Sequence, residues 1–317
     1  MTTEAGSLAE RVLNGERRAL SRLLTAVENG TEPGREALRA LYPHTGRART
    51  IGLTGSPGSG KSTVTNELTK ELRRRGRTVG ILAVDPSSPF THGAILGDRV
   101  RMQDLTADPE IFLRSLATRG SLGGLSEGTL DCIAVLDAFG KDVILIETVG
   151  AGQDEVEIAA TAQTTVLINT PGMGDDIQTM KAGIMEIADI LAVNKADLPG
   201  ADVLMAQLRA LLTFSTDRSW DPPILRLIAT QGEGLAELAD ACDQHFAFLQ
   251  ESGRLQEAAR GRVRQQIIGL ARTQLLAGLV RHTGGEERLE GLVDSVVRRT
   301  IDPHTAVAEW IGEGLRA

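Results

Sequence analysis

Eight consecutive residues constrain this chain more than any others. Gly55-Ser56-Pro57-Gly58-Ser59-Gly60-Lys61-Ser62 matches G-x-x-x-x-G-K-[S/T] at every fixed position. The apolar segment Ile51-Gly52-Leu53 precedes it, and Val64, Leu68 and Leu72 recur every four residues after it. That is a strand, a glycine-rich turn and an amphipathic helix. In such a turn, backbone N–H groups point inward around a phosphate, and the helix N-terminus adds partial positive charge. Lys61 is expected to reach the β- and γ-phosphates. The Ser62 hydroxyl is expected to ligate Mg²⁺, and Thr63 to complete the nucleotide contacts.

The rest of the chain reads around this unit. Val79 to Val84 is the next strand and ends at Asp85-Pro86. Further strands are expected at Ile111 to Leu113, Val143 to Ile146, Val166 to Ile168, Ile190 to Val193 and Ile224 to Ile228, with helical patterns between them, such as Thr129 to Phe139. Strands separated by helices predict an α/β fold, a doubly wound, mostly parallel sheet of the P-loop NTPase type. Residues 7 to 42 read as a helical preface: a first helix stopped by Asn29-Gly30, then a short one around Arg35 to Leu41. After about residue 235 only helices are expected, at Leu235 to Leu249, Arg254 to Arg281, Glu286 to Arg299 and Pro303 to Leu315. The expected division is an N-terminal helical extension (1–48), a nucleotide-binding domain (49–248) and a C-terminal helical arm (249–317). Helices with so few neighbours need a partner to cover their apolar stripes, which predicts a homodimer.

Composition excludes several classes. A net charge of −8 leaves no basic footprint for nucleic acid. The two cysteines, Cys132 and Cys242, are too few and too far apart for a disulfide framework or a metal site, so reduced thiols and a cytoplasmic location are expected. Met1 to Glu10 shows no signal-peptide pattern, and no apolar run approaches the ~20 residues of a membrane span.

Two acids end apolar strands, Asp85 and Glu147. In open α/β sheets ligands gather beyond the C-terminal strand ends, so both are expected at the phosphates. One would hold Mg²⁺ through water, and the other would orient the metal shell or the attacking water. The Gly150 N–H is placed to sense the γ-phosphate. The strand Ile190 to Val193 delivers Asn194-Lys195-Ala196-Asp197. The Asp197 carboxylate can accept from guanine N1–H and the 2-amino group, a donor pair adenine lacks. Asn194 would brace neighbouring loops, and the Lys195 stem would cover the base. Ala229, in Ile228-Ala229-Thr230-Gln231-Gly232, is the expected amide donor to guanine O6. GTP and GDP are therefore the expected ligands.

Taken together, these residues resemble the MeaB/MMAA-type GTPases, also called ArgK. The resemblance rests on Gly55 to Ser62, Asp85-Pro-Ser-Ser-Pro89, Ile95-Leu-Gly-Asp-Arg99, Arg119-Gly-Ser-Leu-Gly-Gly124, Glu147-Thr-Val-Gly-Ala-Gly-Gln153, Pro171-Gly-Met-Gly-Asp-Asp176 and Asn194-Lys-Ala-Asp197. It implies a dimeric GTPase that binds an adenosylcobalamin-dependent acyl-CoA mutase, such as methylmalonyl-CoA mutase. It would gate cofactor delivery and protect the mutase, with turnover slow alone and faster with the mutase bound. It also implies that Asp85, Asp98 and Glu147 surround Mg²⁺ and the γ-phosphate. Pro171 to Lys181 would be a mobile coupling element, with Gln178 and Lys181 contributing to the active site. This chain departs from the family pattern at His92 (often glycine), Asp176 (often glutamate) and Ala229-Thr230-Gln231 (more usually beginning Ser-Ala). The alternatives are a nickel or zinc metallochaperone GTPase, an ATPase tied to amino-acid transport and a non-enzymatic nucleotide-gated scaffold. The first would need Cys/His clusters, whereas His44, His92, His245, His282 and His304 are scattered.

Overall fold

The computed structural model describes residues 4–85, 103–117, 127–148, 154–172, 187–213 and 219–314. Seven strands form one sheet: β1 (Arg49–Thr54), β2 (Val79–Asp85), β3 (Ile111–Ala117), β4 (Val143–Thr148), β5 (Thr164–Asn169), β6 (Ile190–Val193) and β7 (Ile224–Arg226). All pair in parallel, in the order β3-β2-β4-β1-β5-β6-β7. β1 is central, with β4 on one side and β5 on the other. The β4–β5 connection therefore crosses β1, and the phosphate loop emerges at this crossing.

Helices cover both faces. On one face lie α4 (Lys61–Arg74) and α8 (Leu235–Glu251). Their Val64, Leu68, Leu72, Leu238 and Ala239 share a buried cluster with Leu53, Ile81, Leu145, Ile168 and Ile190 of the strands. On the other face lie α5 (Glu127–Ala138), α6 (Asp154–Thr161) and α7 (Ala201–Thr213). Strand residues alternate strictly between the faces. Leu145 faces α4, whereas Ile144 and Ile146 join the cluster that contains α5.

The N-terminal helices are α1 (Glu4–Leu13), α2 (Arg17–Glu28) and α3 (Glu32–Leu41). The single helix expected before Asn29-Gly30 is thus two. Gly15, at φ 79°, ends the first, and Gly15 and Glu16 return their N–H groups to Val12 and Arg11. An Arg11–Glu16 ion pair spans the break. Leu20, Leu23 and Leu24 of α2 are buried in the same cluster as Val135 and Leu136 of α5 and Ile146 of β4. The strand expected to reach Ile228 stops at Arg226, and Ile228 instead makes a single antiparallel bridge to Glu233.

The chain divides into two compact units, Met1–Ala258 and Ala259–Ala317. The second has a small core of Leu292, Ala306 and Trp310, flanked by Leu279, Val280 and Leu289. These come from α9 (Arg254–His282), α10 (Gly285–Val297) and α11 (Pro303–Gly314). Trp310 Nε1–H donates to Thr283 Oγ1 at 2.6 Å. Both cysteines are free and buried, and burial pushes the Cys242 thiol up to about 12. Among the described residues, no helix is long and apolar enough to cross a membrane.

Candidate functional site: a glycine-rich loop clasped by Asn194

Neighbouring strands each deliver one part of the site at their C-terminal ends. β4 carries Glu147, β1 runs into the phosphate loop, β5 ends in Asn169 and β6 runs into Asn194–Asp197. After β7 comes the turn at Ala229.

The phosphate loop takes a shape only glycine permits at two points. Gly55 sits at φ 143°, and a Cβ there would lie 2.1 Å from the Ile168 carbonyl oxygen. Gly60 sits at φ 88°, where a Cβ would lie 2.4 Å from Asn194 Nδ2. The loop is thus pressed against β5 on one side and the base tetrapeptide on the other. Lys61 is buried at the start of α4, and its ammonium donates to the carbonyls of Gly55 at 2.6 Å and Ser56 at 3.2 Å. Ser62 Oγ donates to Glu147 Oε1 at 2.5 Å. Glu147 is opposite Leu53 in register and points to the α4 face, as Leu145 does. This geometry sets a buried carboxylate, a hydroxyl and an ammonium around one loop mouth.

Asp85 closes β2, with its backbone opposite Ala117. Its side chain lies outside the described residues, as do Asp98, Gly150, Gln178 and Lys181.

The Asn194–Asp197 tetrapeptide is tied to the glycine-rich loop by two side chains. Buried Asn194 donates through Nδ2 to the Ser59 carbonyl at 2.9 Å, and its own N–H donates to the Asn169 carbonyl at 2.8 Å. Lys195 Nζ donates to the Gly58 carbonyl at 2.8 Å. Lys195 adopts φ 54°, a left-handed conformation that side chains disfavour, so the loop is held against local strain. Asp197 is exposed beside it.

The Ala229 N–H, expected at guanine O6, donates to Asn194 Oδ1 at 3.2 Å and so braces the two loops. The next residue, Thr230, is exposed in the middle of the turn. Asn194 thereby joins three loops at once.

Sequence reasoning missed Asn169, a buried amide at the tip of the strand beside β1. Its signal was an apolar strand, Val166-Leu167-Ile168, ending in a polar residue. It also missed Thr54 and Thr148, buried neighbours with hydroxyls 3.5 Å apart at the ends of β1 and β4.

A family model described as "Methylmalonyl Co-A mutase-associated GTPase MeaB" matches residues 20–283. A Pyrococcus abyssi protein named as a GTPase is 48% identical, with 97% of each chain covered. The Escherichia coli "GTPase ArgK" is 34% identical over 98% of this chain and 97% of its own. A solved structure titled "LAO/AO transport system kinase" superposes with a TM-score of 0.74 at 25% identity, with 100% of both chains covered.

Proposed function

The chain belongs to the MeaB family of GTPases, and from that membership we propose that it is the GTP-driven chaperone of an adenosylcobalamin-dependent acyl-CoA mutase. Hydrolysis of GTP is its activity. In this reading, the nucleotide state gates cofactor loading and protects the mutase, with methylmalonyl-CoA mutase the first candidate partner. The observation that carries the reading is the Asn194 clasp between the phosphate loop and the base tetrapeptide, within a chain matched to the family over residues 20–283.

The roles follow from position. The loop amides from Gly55 to Thr63 and the Lys61 ammonium hold the β- and γ-phosphates. Asp197 accepts from guanine N1–H and the 2-amino group, and the Lys195 stem lies along the base. Because the Ala229 amide is engaged, the Thr230 amide becomes the reader of guanine O6.

The Ser62 hydroxyl and the Glu147 carboxylate are hard oxygen donors, 2.5 Å apart at the loop mouth, and they suit Mg²⁺. Ser62, Asp85, Asp98 and Glu147 would hold the ion, directly or through water. Bound there, it would neutralise charge on the phosphate oxygens. Gly150 would sense the γ-phosphate, and Gln178 and Lys181 would join the site when the mutase docks.

The same reading makes the chain a cytoplasmic homodimer. Exposed Val263, Ile267, Leu275 and Leu276 of α9 support a C-terminal dimerisation arm. A mixing experiment tests the function. GTP turnover is expected to be slow for the chain alone and to rise when the mutase is added, with a nucleotide-dependent complex on size-exclusion chromatography. No complex and no stimulation with any cobalamin-dependent acyl-CoA mutase would refute it.

A further inference from the structure

The elements that carry the two base-reading loops are tied together at both ends. One tie is Asn194 with Ala229. The other lies at the opposite ends of the strands, where His245 of α8 is buried by β5 and β6. His245 Nδ1 lies 2.9 Å from Thr164 Oγ1, and Nε2 lies 3.3 Å from Asp189 Oδ1. An ionised carboxylate only accepts, so Nε2 carries the proton and Nδ1 accepts from the Thr164 hydroxyl.

Asp189 is itself fixed. Its Oδ2 accepts from Thr165 N–H at 2.8 Å, and its own N–H returns to the Thr165 carbonyl at 2.9 Å. Its carbonyl accepts from Trp220 Nε1–H at 2.8 Å. The Trp220 ring lies 4.9 Å from the imidazole and 5.1 Å from Phe248, centre to centre. Two strands, a helix and the segment at Trp220 thus converge on one imidazole.

β6 and the first part of α8 run alongside each other over a similar length. Five steps of extended chain from Asp189 to Asn194 span about 16 Å. The helix from Leu235 to His245 rises about 15 Å. Along that length Ile190 and Ala192 share a buried cluster with Leu238, Ala239, Ala241 and Cys242. Sliding the strand along the helix would break the His245–Asp189 contact and disturb this packing.

We propose that His245, with Asp189, is a positioning pair for guanine recognition. It fixes β6 against α8, and with them the separation between Asp197 and the Ala229–Thr230 turn. Neither residue touches nucleotide. The proposal rests on the reading of those two loops as the guanine site.

The test compares GDP with IDP, which lacks the 2-amino group assigned to Asp197. Affinities are measured by calorimetry for wild type, His245→Phe and His245→Gln, each well below its melting temperature. Wild type is expected to prefer GDP. His245→Phe keeps ring volume but no hydrogen bond, and should narrow the GDP/IDP ratio about fivefold, as expected from about one hydrogen bond's worth of misplacement. His245→Gln keeps a donor and should restore most of the ratio. A lowered melting temperature with an unchanged ratio overturns the proposal, because a merely structural pair would behave that way. If His245→Phe does not fold, Thr164→Val, which deletes one hydroxyl, decides instead: a narrowed ratio supports the pair and an unchanged one overturns it. A wild-type protein indifferent to GDP and IDP would refute the guanine-site reading itself, and this proposal with it.

Discussion

The two compact units treat their apolar residues in opposite ways. In the first, Leu23, Leu53, Leu68, Leu145 and Ile190 have no exposed surface. In the second, Leu275 is 74% exposed and Val297 73%, and among the described residues only Leu292, Ala306 and Trp310 form a buried core. The first unit has a sheet with both faces covered, so each helix has an apolar surface to rest on. Among its described residues the second has only helices as regular elements, and α9 contributes no buried residue. Among the described residues, the first unit therefore buries large apolar clusters within itself, whereas the C-terminal unit displays apolar surface that another molecule can cover.

Substitutions can break or sharpen that contrast. The largest effect belongs to Lys61→Ala. It removes the ammonium at the loop mouth and is expected to weaken GTP binding at least about a thousandfold, roughly 4 kcal/mol. Titration with a fluorescent GTP analogue checks this, and size-exclusion chromatography should show the oligomeric state unchanged if the two units work separately. Next comes truncation of core residues. Leu68→Ala in α4 should cost about 3 kcal/mol in denaturant unfolding, because a sealed site cannot collapse around the cavity. Trp310→Ala should melt the second unit and leave the unfolding of the first and its GTP affinity unchanged. A single shared transition would count against the separation. Smaller still is the double change Ile267→Ser with Leu275→Ser. Both side chains are exposed, so monomer stability should move by no more than about 0.5 kcal/mol, while any dimer should weaken measurably in sedimentation.

The smallest effect is a pH dependence inside the first unit. Burial lowers His245 from 6.5 to about 4. Its contribution to stability is complete above pH 6.5 and is lost as pH falls toward 4. Burial raises Asp189 from 3.8 to about 6, which acts in the opposite sense: its contribution is complete below pH 3.8 and is lost as pH rises through 6. In wild type the two oppose each other between about pH 4 and 6. His245→Phe leaves Asp189 unopposed, so the melting-temperature deficit of that variant should shrink as pH is lowered from 7 toward 4.5. Circular-dichroism melts across that range check it.

Much of this was legible in the sequence, for reasons that differ by element. The phosphate loop and the Asn194–Asp197 tetrapeptide are runs of adjacent residues whose chemistry is local. The strands showed as short apolar runs, because a parallel sheet buried on both faces writes itself that way. The break at Asn14-Gly15 does not show in the pattern, although the identical pair at Asn29-Gly30 does. Leu8, Val12, Leu20, Leu23 and Leu24 keep a plausible helical spacing across the gap, and that masked the turn. The engagement of the Ala229 amide could not be read, since it depends on a side chain from a different loop. The same holds for His245, Asp189 and Thr164, each ordinary in its own neighbourhood and joined only by the packing of α8 on β5 and β6.

The N-terminal helices carry a last consequence, for how the chain is made. α2 leaves the ribosome early, but its partners in α5 come much later: Cys132 Sγ meets the Leu24 carbonyl across 108 positions of chain. At about 5–20 residues per second, synthesis keeps Leu20, Leu23 and Leu24 waiting on the order of 5–20 s before their cover exists. Throughout that interval the nascent segment offers a sticky leucine face, which makes yield in a cell sensitive to translation speed and holdase supply before any nucleotide is bound.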